Sequence, residues 1–141
     1  MDAVEFDNHW DELGEYPVET EHDIVKVRQT VRYHAKKMGM GLVDQTRITT
    51  AVSELFRNMY NYAGRGMVTI QKGFIKNKFT LVVTCTDEGP GIDDVELAMC
   101  DGYTTGQGMG YGLPGAQRLV DSFDIESEKG AGTTVRVMKW K

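Results

Sequence analysis

The pattern of apolar and polar positions predicts two amphipathic helices in the first half of the chain. Apolar residues recur at helical spacing over residues 24–38 and again over residues 48–63. Glycines follow both runs, and glycine commonly ends a helix. The polar residues before each run are of the types that cap a helix start. We therefore predict a first helix that begins at Thr20 or Asp23, and a second helix from Asp44 to Ala63.

Short apolar stretches separated by turn residues predict five strands. They are residues 16–19, 66–75, 78–86, 125–128 and 133–140. A short helical segment at residues 94–99 and a helix over Leu113–Phe123 separate the two hairpins. Because the strands are joined mainly by hairpins, we predict an α+β fold, a two-layer α/β sandwich with a mostly antiparallel mixed sheet and helices on one face. Residues 1–14 lack such a pattern, so we expect a loose arm before a single domain over residues 15–141.

The composition fits one globular domain and argues against two kinds of partner. The chain has 141 residues, of which 40% are hydrophobic and 26% charged. Its net charge of −5 gives no positive surface for nucleic acid or an anionic membrane. No apolar run approaches the length of a membrane span, and the first residues do not resemble a secretion signal. We therefore expect a cytoplasmic protein that binds neither nucleic acid nor membrane.

A carboxylate and two glycines, Asp87, Gly89 and Gly91, follow the strand predicted at residues 78–86. Asp87 has the same parity as the apolar residues Val83 and Cys85, so it points inward at the strand end. A buried carboxylate needs a hydrogen-bond donor, which either the protein or a ligand can supply. The glycines let a ligand approach bare backbone. An ordinary Asp/Gly turn is the alternative interpretation.

A second pair of polar residues lies on the second predicted helix. Glu54 and Asn58 are four residues apart, so they stack one turn from each other. They flank the apolar stripe of that helix, which places a carboxylate and an amide near the rim of the helix–sheet interface. A solvated helix flank is the alternative interpretation.

The segment from Asp101 to Gly115 contains six of the chain's 16 glycines. We expect a mobile lid whose backbone N–H groups surround phosphates, ending where the next helix starts at Leu113. The G-x-G-x-x-G spacing at residues 110–115 is not preceded by a strand, so it is not a dinucleotide motif. Since no Lys or Arg occurs between Phe79 and Gln117, phosphate charge must be balanced by a metal, backbone dipoles or distant cations.

Taken together and in order, these motifs resemble the GHKL ATP-binding superfamily. The motifs are E-x-x-x-N on a helix, D-x-G-x-G after a strand, a glycine-rich segment ending G-x-G-L-P-G, and G-T near the end. More closely, the chain is similar to the RsbT-like serine/threonine switch kinases of the stressosome. The similar segments are residues 23–29, 43–58, 62–66 and 112–119. The resemblance covers residue 16 onward and implies the Bergerat ATP-binding fold.

The resemblance implies a role for each candidate residue. Glu54 would be the catalytic general base, Asn58 would bind Mg²⁺, and Asp87 would accept a hydrogen bond from the adenine amino group. Thr133 would support the adenine pocket. The remaining residues expected to contact ATP are Gly89, Gly91, Gly106, Gly108, Gly110, Gly112 and Leu113.

The resemblance also implies a function. The chain would be a protein serine/threonine kinase that uses ATP and Mg²⁺ to phosphorylate STAS-domain scaffold or antagonist proteins. It would then bind and activate a PP2C-type phosphatase. Two alternatives remain open, an anti-sigma factor that sequesters a sigma subunit and a nucleotide-binding module without kinase activity.

Overall fold

The computed structural model describes residues 9–92, 94–99 and 112–141. We number the elements found in these ranges in chain order. They are β1 (His9–Val18), α1 (Glu21–Lys37), α2 (Leu42–Ala63), β2 (Gly66–Ile75), β3 (Lys78–Asp87), α3 (Val95–Ala98), α4 (Leu113–Leu119), β4 (Ser122–Glu128) and β5 (Gly132–Trp140).

The five strands form one sheet in the order β1-β2-β3-β5-β4, and every neighbouring pair is antiparallel. The apolar stripes of α1 and α2 pack against one face of this sheet in a single hydrophobic core. Fully buried residues such as Val52, Phe56 and Val83 each stabilise such a core by about 1.5–3 kcal/mol. The predicted α+β fold with helices on one face is therefore confirmed, and the sheet is entirely antiparallel. No helix in the described ranges is long and apolar enough to cross a membrane.

The start of α1 agrees with the prediction, but the start of α2 does not. Thr20 caps α1 by accepting from the Asp23 backbone N–H at 3.1 Å, and the Asp23 carboxylate accepts from the Thr20 N–H at 3.2 Å. The N-cap of α2 is Gly41 and not Asp44. Asp44 lies in the first turn, where its carboxylate is 3.4 Å from the buried ammonium of Lys139. An acidic residue in this turn still favours the helix, because it faces the positive end of the helix dipole.

The beginning of the sheet corrects a prediction. We expected a loose arm over residues 1–14, but β1 begins at His9 and pairs with β2 along its length. A bulge between Glu12 and Gly14 shifts the register, so the alternation of side chains is broken within the strand. Residues 9–14 therefore belong to the sheet. Residues 1–8 lie outside the described part of the chain.

Two further details of the strands differ from the expected pattern. Thr80 and Val82 are as completely buried as Leu81 and Val83. β3 is the central strand, and Val82 lies between Gln71 of β2 and Met138 of β5 on the face away from the helices. The expected half-buried strand is therefore buried on both faces along this stretch. The helix predicted over Leu113–Phe123 ends at Leu119, since β4 begins at Ser122 and places Phe123 opposite Val137.

The β2–β3 hairpin has the predicted turn at Lys76-Asn77. Both residues have positive φ, 51° and 65°, as a two-residue hairpin turn requires. The carboxyl end of β3 lies at the opposite end of the strand from this turn. Asp87, at the carboxyl end, lies beside the loop that follows the C-terminus of α2.

Candidate functional site

Asp87 is half-buried at the end of β3, directly opposite Thr133 of β5. Its Oδ1 accepts a hydrogen bond from the Gly89 backbone N–H at 2.9 Å, and the carboxylate also accepts from the backbone N–H of Thr133. Burial raises the pKa of Asp87, and these two hydrogen bonds oppose the rise. A carboxylate has about four acceptor positions, so Asp87 retains the capacity to accept from a ligand.

The two glycines after Asp87 are required by the protein's own packing. A Cβ at Gly89 would lie 2.5 Å from the Cβ of Ala63, at the end of α2. Gly91 has a φ of +75°, and a Cβ there would overlap the backbone oxygen of Glu128. Only Gly91 therefore uses the positive φ that glycine permits. Approach of a base or ribose to either glycine stays a prediction.

A hydroxyl that the sequence did not single out connects three segments beside Asp87. Ser127 Oγ accepts from the Ile92 backbone N–H at 2.7 Å, donates to the Gly132 backbone oxygen at 3.1 Å and lies 2.7 Å from Thr133 Oγ1. Thr133 itself is buried. Ser127 thus holds the turn after Asp87, strand β4 and the start of β5 together. These contacts could not be predicted from the sequence, because Ser127 is one of several polar residues in an edge strand.

Asn58 has an unusual environment on α2. Its side-chain Oδ1 is buried and has no hydrogen-bond partner among the residues that the structure describes. An unpaired buried acceptor is unfavourable by roughly 1–3 kcal/mol, so such a group is expected to have a partner in the functional state. An amide oxygen is a ligand that Mg²⁺ accepts, and Mg²⁺ is usually held by one or two side chains together with substrate phosphates. The residue therefore fits the predicted metal role. In the described part of the chain no cluster of three His, Cys, Asp or Glu side chains offers a metal site of another kind.

Glu54 lies one turn before Asn58, and its side chain is exposed. Gly112, the N-cap of α4, packs against it so closely that a Cβ at Gly112 would lie 2.5 Å from Glu54 Oε2. Leu113 follows with its side chain fully buried in the core, so only its backbone could face a ligand. Gly106, Gly108 and Gly110 lie outside the described residues, as does the expected lid up to residue 111.

The candidate residues are ordered along α2. Ala63 contacts Gly89 beside Asp87, Asn58 lies about one turn earlier, and Glu54 lies one turn earlier again, against Gly112. At 1.5 Å per residue, Glu54 and Ala63 are about 14 Å apart along the helix axis. The structure therefore places Asp87 beside the C-terminal end of α2, with Asn58 and then Glu54 at successive turns before that end.

One cation at this site was also missed by the sequence analysis. Arg65, in the loop after α2, lines a surface cleft together with Asp87, Ala63 and Glu19. Its guanidinium is largely exposed and lies 4.0 Å from the Glu19 carboxylate. The cleft is next to Asp87 at the C-terminal end of α2, and Glu54 does not line it. Arg65 therefore does not provide a cation beside Glu54.

The sequence and the fold match a known protein family. The model of the histidine kinase-, DNA gyrase B- and HSP90-like ATPase family matches residues 43–141. The chain is 49% identical to the serine/threonine-protein kinase RsbT of Bacillus subtilis over 121 residues, which cover 86% of this chain and 91% of that protein. It is 35% identical to the anti-sigma F factor of Caldanaerobacter subterraneus, over 80% of this chain and 82% of the relative. The chain belongs to this ATPase family.

Solved structures show the same fold at lower identity. A structure with RsbU and RsbW domains from Mycobacterium tuberculosis superposes with a TM-score of 0.60 and 18% identity, covering 89% of this chain and 32% of that one. A histidine kinase domain from Erythrobacter litoralis gives a TM-score of 0.52 at 19% identity, with 84% and 59% covered. The recognition of an RsbT-like serine/threonine kinase, made from the motifs, is confirmed together with its fold. The roles of the individual residues stay predictions.

Proposed function

We propose that this chain is an ATP-dependent protein serine/threonine kinase that also exchanges regulatory partners. The observation that carries the proposal is the order of the three residues along the axis of α2, with Asp87 beside its C-terminal end and then Asn58 and Glu54 at successive turns. It puts an acceptor at one end, an unpaired amide oxygen in the middle and a second carboxylate at the other end. An extended nucleotide with its base at Asp87 would have its phosphates near Asn58 and its terminal phosphate towards Glu54.

Each residue has a separate chemical task in this proposal. Asp87 accepts a hydrogen bond from the adenine amino group through an acceptor position left open by its two backbone donors. Asn58 holds Mg²⁺ through Oδ1, and the metal ion, when bound, neutralises charge on the phosphate oxygens. Glu54 is exposed, so a hydroxyl of another protein can reach it.

The phosphoryl transfer then requires one base. The Ser or Thr hydroxyl oxygen of the substrate forms a bond to the γ-phosphorus while the bond from that phosphorus to the bridging oxygen of ADP breaks. Glu54 takes the hydroxyl proton. General-base catalysis of this kind contributes roughly 10²- to 10⁴-fold to the rate. The contact with Gly112 supports this role, because it fixes the Glu54 carboxylate beside the segment expected to enclose the phosphates.

The partners follow from the resemblance to RsbT-like kinases. We propose that the substrates are Ser or Thr residues of STAS-domain proteins in a cytoplasmic stress-signalling complex. Phosphorylation would release the kinase, which would then activate a PP2C-type phosphatase. Similarity to a serine/threonine-protein kinase RsbT and to anti-sigma F factors supports a partner-switching role of this general kind.

The alternative of an anti-sigma factor is supported by the 35% identity to an anti-sigma F factor, which is lower than the 49% identity to RsbT.

One experiment distinguishes the kinase from the anti-sigma factor. The protein is incubated with labelled ATP, Mg²⁺ and STAS-domain proteins of the same genome, and separately with its sigma subunits. Our proposal predicts label on a Ser or Thr of a STAS protein and no stable sigma complex. A stable sigma complex without transfer to any of these STAS-domain proteins would contradict it.

A further inference from the structure

Ser127, Thr133 and Asp87 together suggest how the site distinguishes one purine from another. Resting on the proposed nucleotide site, we propose that Ser127 is a positioning residue that makes the Thr133 hydroxyl a hydrogen-bond acceptor toward the base. Two acceptors, Thr133 Oγ1 and the Asp87 carboxylate, would then face the ligand together. The base that fits carries an amino group at this edge, and a base with a carbonyl oxygen there is rejected.

Ser127 Oγ has three polar contacts but only one proton of its own. The hydroxyl has one proton and two acceptor positions. The Ile92 N–H at 2.7 Å occupies one acceptor position. The Gly132 carbonyl oxygen at 3.1 Å can only accept, so it takes the Ser127 proton. The contact of 2.7 Å with Thr133 Oγ1 is then a hydrogen bond only if Thr133 donates to Ser127.

Every other arrangement leaves a contact unsatisfied. If Ser127 donated to Thr133 instead, the Ser127–Gly132 contact would have two acceptors and no proton. Unsatisfied contacts between buried polar groups are disfavoured, and Thr133 is buried. The arrangement that satisfies all three contacts directs the Thr133 proton to Ser127. It leaves only the acceptor positions of Thr133 Oγ1 available to a ligand.

Thr133 is placed to act together with Asp87. The two residues are opposite each other in the antiparallel pair of β3 and β5, so their side chains are neighbours on the same face of the sheet. The backbone N–H of Thr133 is already bound to the Asp87 carboxylate. The Asp87 carboxylate and the Thr133 hydroxyl oxygen thus lie side by side. Both can only accept hydrogen bonds from a ligand. ATP carries an amino group on its purine, and inosine triphosphate carries a carbonyl oxygen at the same position.

Removing the Ser127 hydroxyl should change this preference. In Ser127→Ala the Thr133 proton loses its acceptor, so the hydroxyl can rotate and donate to the carbonyl oxygen of inosine triphosphate. We expect the wild-type protein to bind ATP at least about tenfold more tightly than inosine triphosphate. We expect Ser127→Ala to lower the ratio of the affinity for ATP to the affinity for inosine triphosphate by about fivefold or more. A purely structural role would weaken both nucleotides equally and leave the ratio unchanged.

The test is calorimetric titration of ATP and inosine triphosphate, with Mg²⁺, into the wild-type protein and five variants. Ser122→Ala removes a serine hydroxyl from the same strand, β4, and should keep the wild-type ratio. Ser127→Thr restores a hydroxyl and should recover the ratio. Thr133→Val should narrow it, and Ser127→Ala should have no further effect on the ratio in the Thr133→Val background, because Ser127 acts through Thr133.

The outcomes separate this inference from the proposed function. If the wild-type protein binds neither nucleotide, the proposed nucleotide site is wrong. If it binds ATP but the ratio is the same in Ser127→Ala and in the wild type, the role of Ser127 is wrong while the proposed kinase stands. Additive effects of the two changes on the ratio would likewise contradict an action through Thr133. Unfolding temperatures of all variants show whether a change in affinity follows from lost stability.

Discussion

Glu54 and Gly112 are in direct contact across the junction of α2 and α4. Gly112 adopts a left-handed conformation with a φ of +71°, and a Cβ there would lie 2.5 Å from Glu54 Oε2. Any side chain at residue 112 must therefore move the carboxylate. The contact links the proposed base to the end of the glycine-rich segment, so the two should respond together to substitution.

Gly112→Ala should reduce the rate of phosphoryl transfer by more than its loss of stability explains. The new methyl group displaces the Glu54 carboxylate, and the left-handed backbone adds strain of about 1–2 kcal/mol. Gly130→Ala is the matched control, because Gly130 has a similar φ of +82° and no atom within 4 Å of its Cβ position. Both variants should unfold at similarly lowered temperatures. Equal kinase activity in the two variants would show that the contact with Glu54 has no role in catalysis.

Asn58→Ala should weaken ATP binding without destabilising the free protein. The substitution removes an unpaired buried oxygen and introduces a better helix former, so the free energy of unfolding should stay equal or rise by about 1 kcal/mol. Mg²⁺-dependent ATP affinity should fall. Titration of ATP with Mg²⁺ and with EDTA measures this, and Arg57→Ala, on the exposed side of the same helix, is the control. If EDTA leaves wild-type affinity unchanged, Mg²⁺ held by Asn58 does not carry the phosphate charge.

Asp87→Asn should weaken ATP binding by about 1–3 kcal/mol or more. The new amide places a donor where the adenine amino group also donates, or turns it toward the N–H groups of Gly89 and Thr133. Glu88→Gln changes the adjacent, exposed carboxylate and should leave affinity near the wild-type value. Titration of ATP into both variants measures their affinities. Equal affinities for the two would remove Asp87 from the base-binding site.

The pH dependence of stability offers an independent test of the Asp87 environment. Burial holds the pKa of Asp87 above the usual value for an aspartate, so the ionised form is less favourable in the folded protein than in the unfolded chain. The stabilising contribution of the protonated form is complete below the unfolded-state pKa and is lost as pH rises through the folded-state pKa. Relative to the wild type, Asp87→Asn should therefore gain stability as pH rises through that range. Urea unfolding at a series of pH values would show an opposite slope if the pKa were lowered.

The sequence predicted those features that depend on local periodicity. The apolar spacing of α1 and α2 and the Lys76-Asn77 turn are visible in single segments, and the structure contains all three. Residues 9–14 of β1 were missed because the bulge between Glu12 and Gly14 breaks the alternation of side chains. The prediction of Asp44 as an N-cap was wrong, because its carboxylate forms an ion pair with Lys139, which is far away in the sequence.

In the candidate site, too, local spacing could be predicted from the sequence and packing could not. The spacing of Glu54 and Asn58 could be predicted because both residues are on one helix. The unpaired state of the Asn58 oxygen could not, since it depends on how the surrounding segments pack. The role of Ser127 also depends on packing, because its three contacts lie on the turn after β3 and at the start of β5.

The central claim is that Glu54 acts in chemistry while Asp87 acts in binding. Glu54→Gln keeps the size of the side chain beside Gly112 but removes its capacity to take a proton. ATP should therefore bind to this variant with nearly wild-type affinity, in contrast to Asp87→Asn.

The most direct measurement is the rate of transfer of labelled γ-phosphate from saturating ATP to a STAS-domain substrate by Glu54→Gln. We predict a rate lower than that of the wild-type protein by roughly 10²-fold or more, the usual range for loss of a general base. Transfer at the wild-type rate would contradict the assignment of Glu54 and, with it, the proposed mechanism.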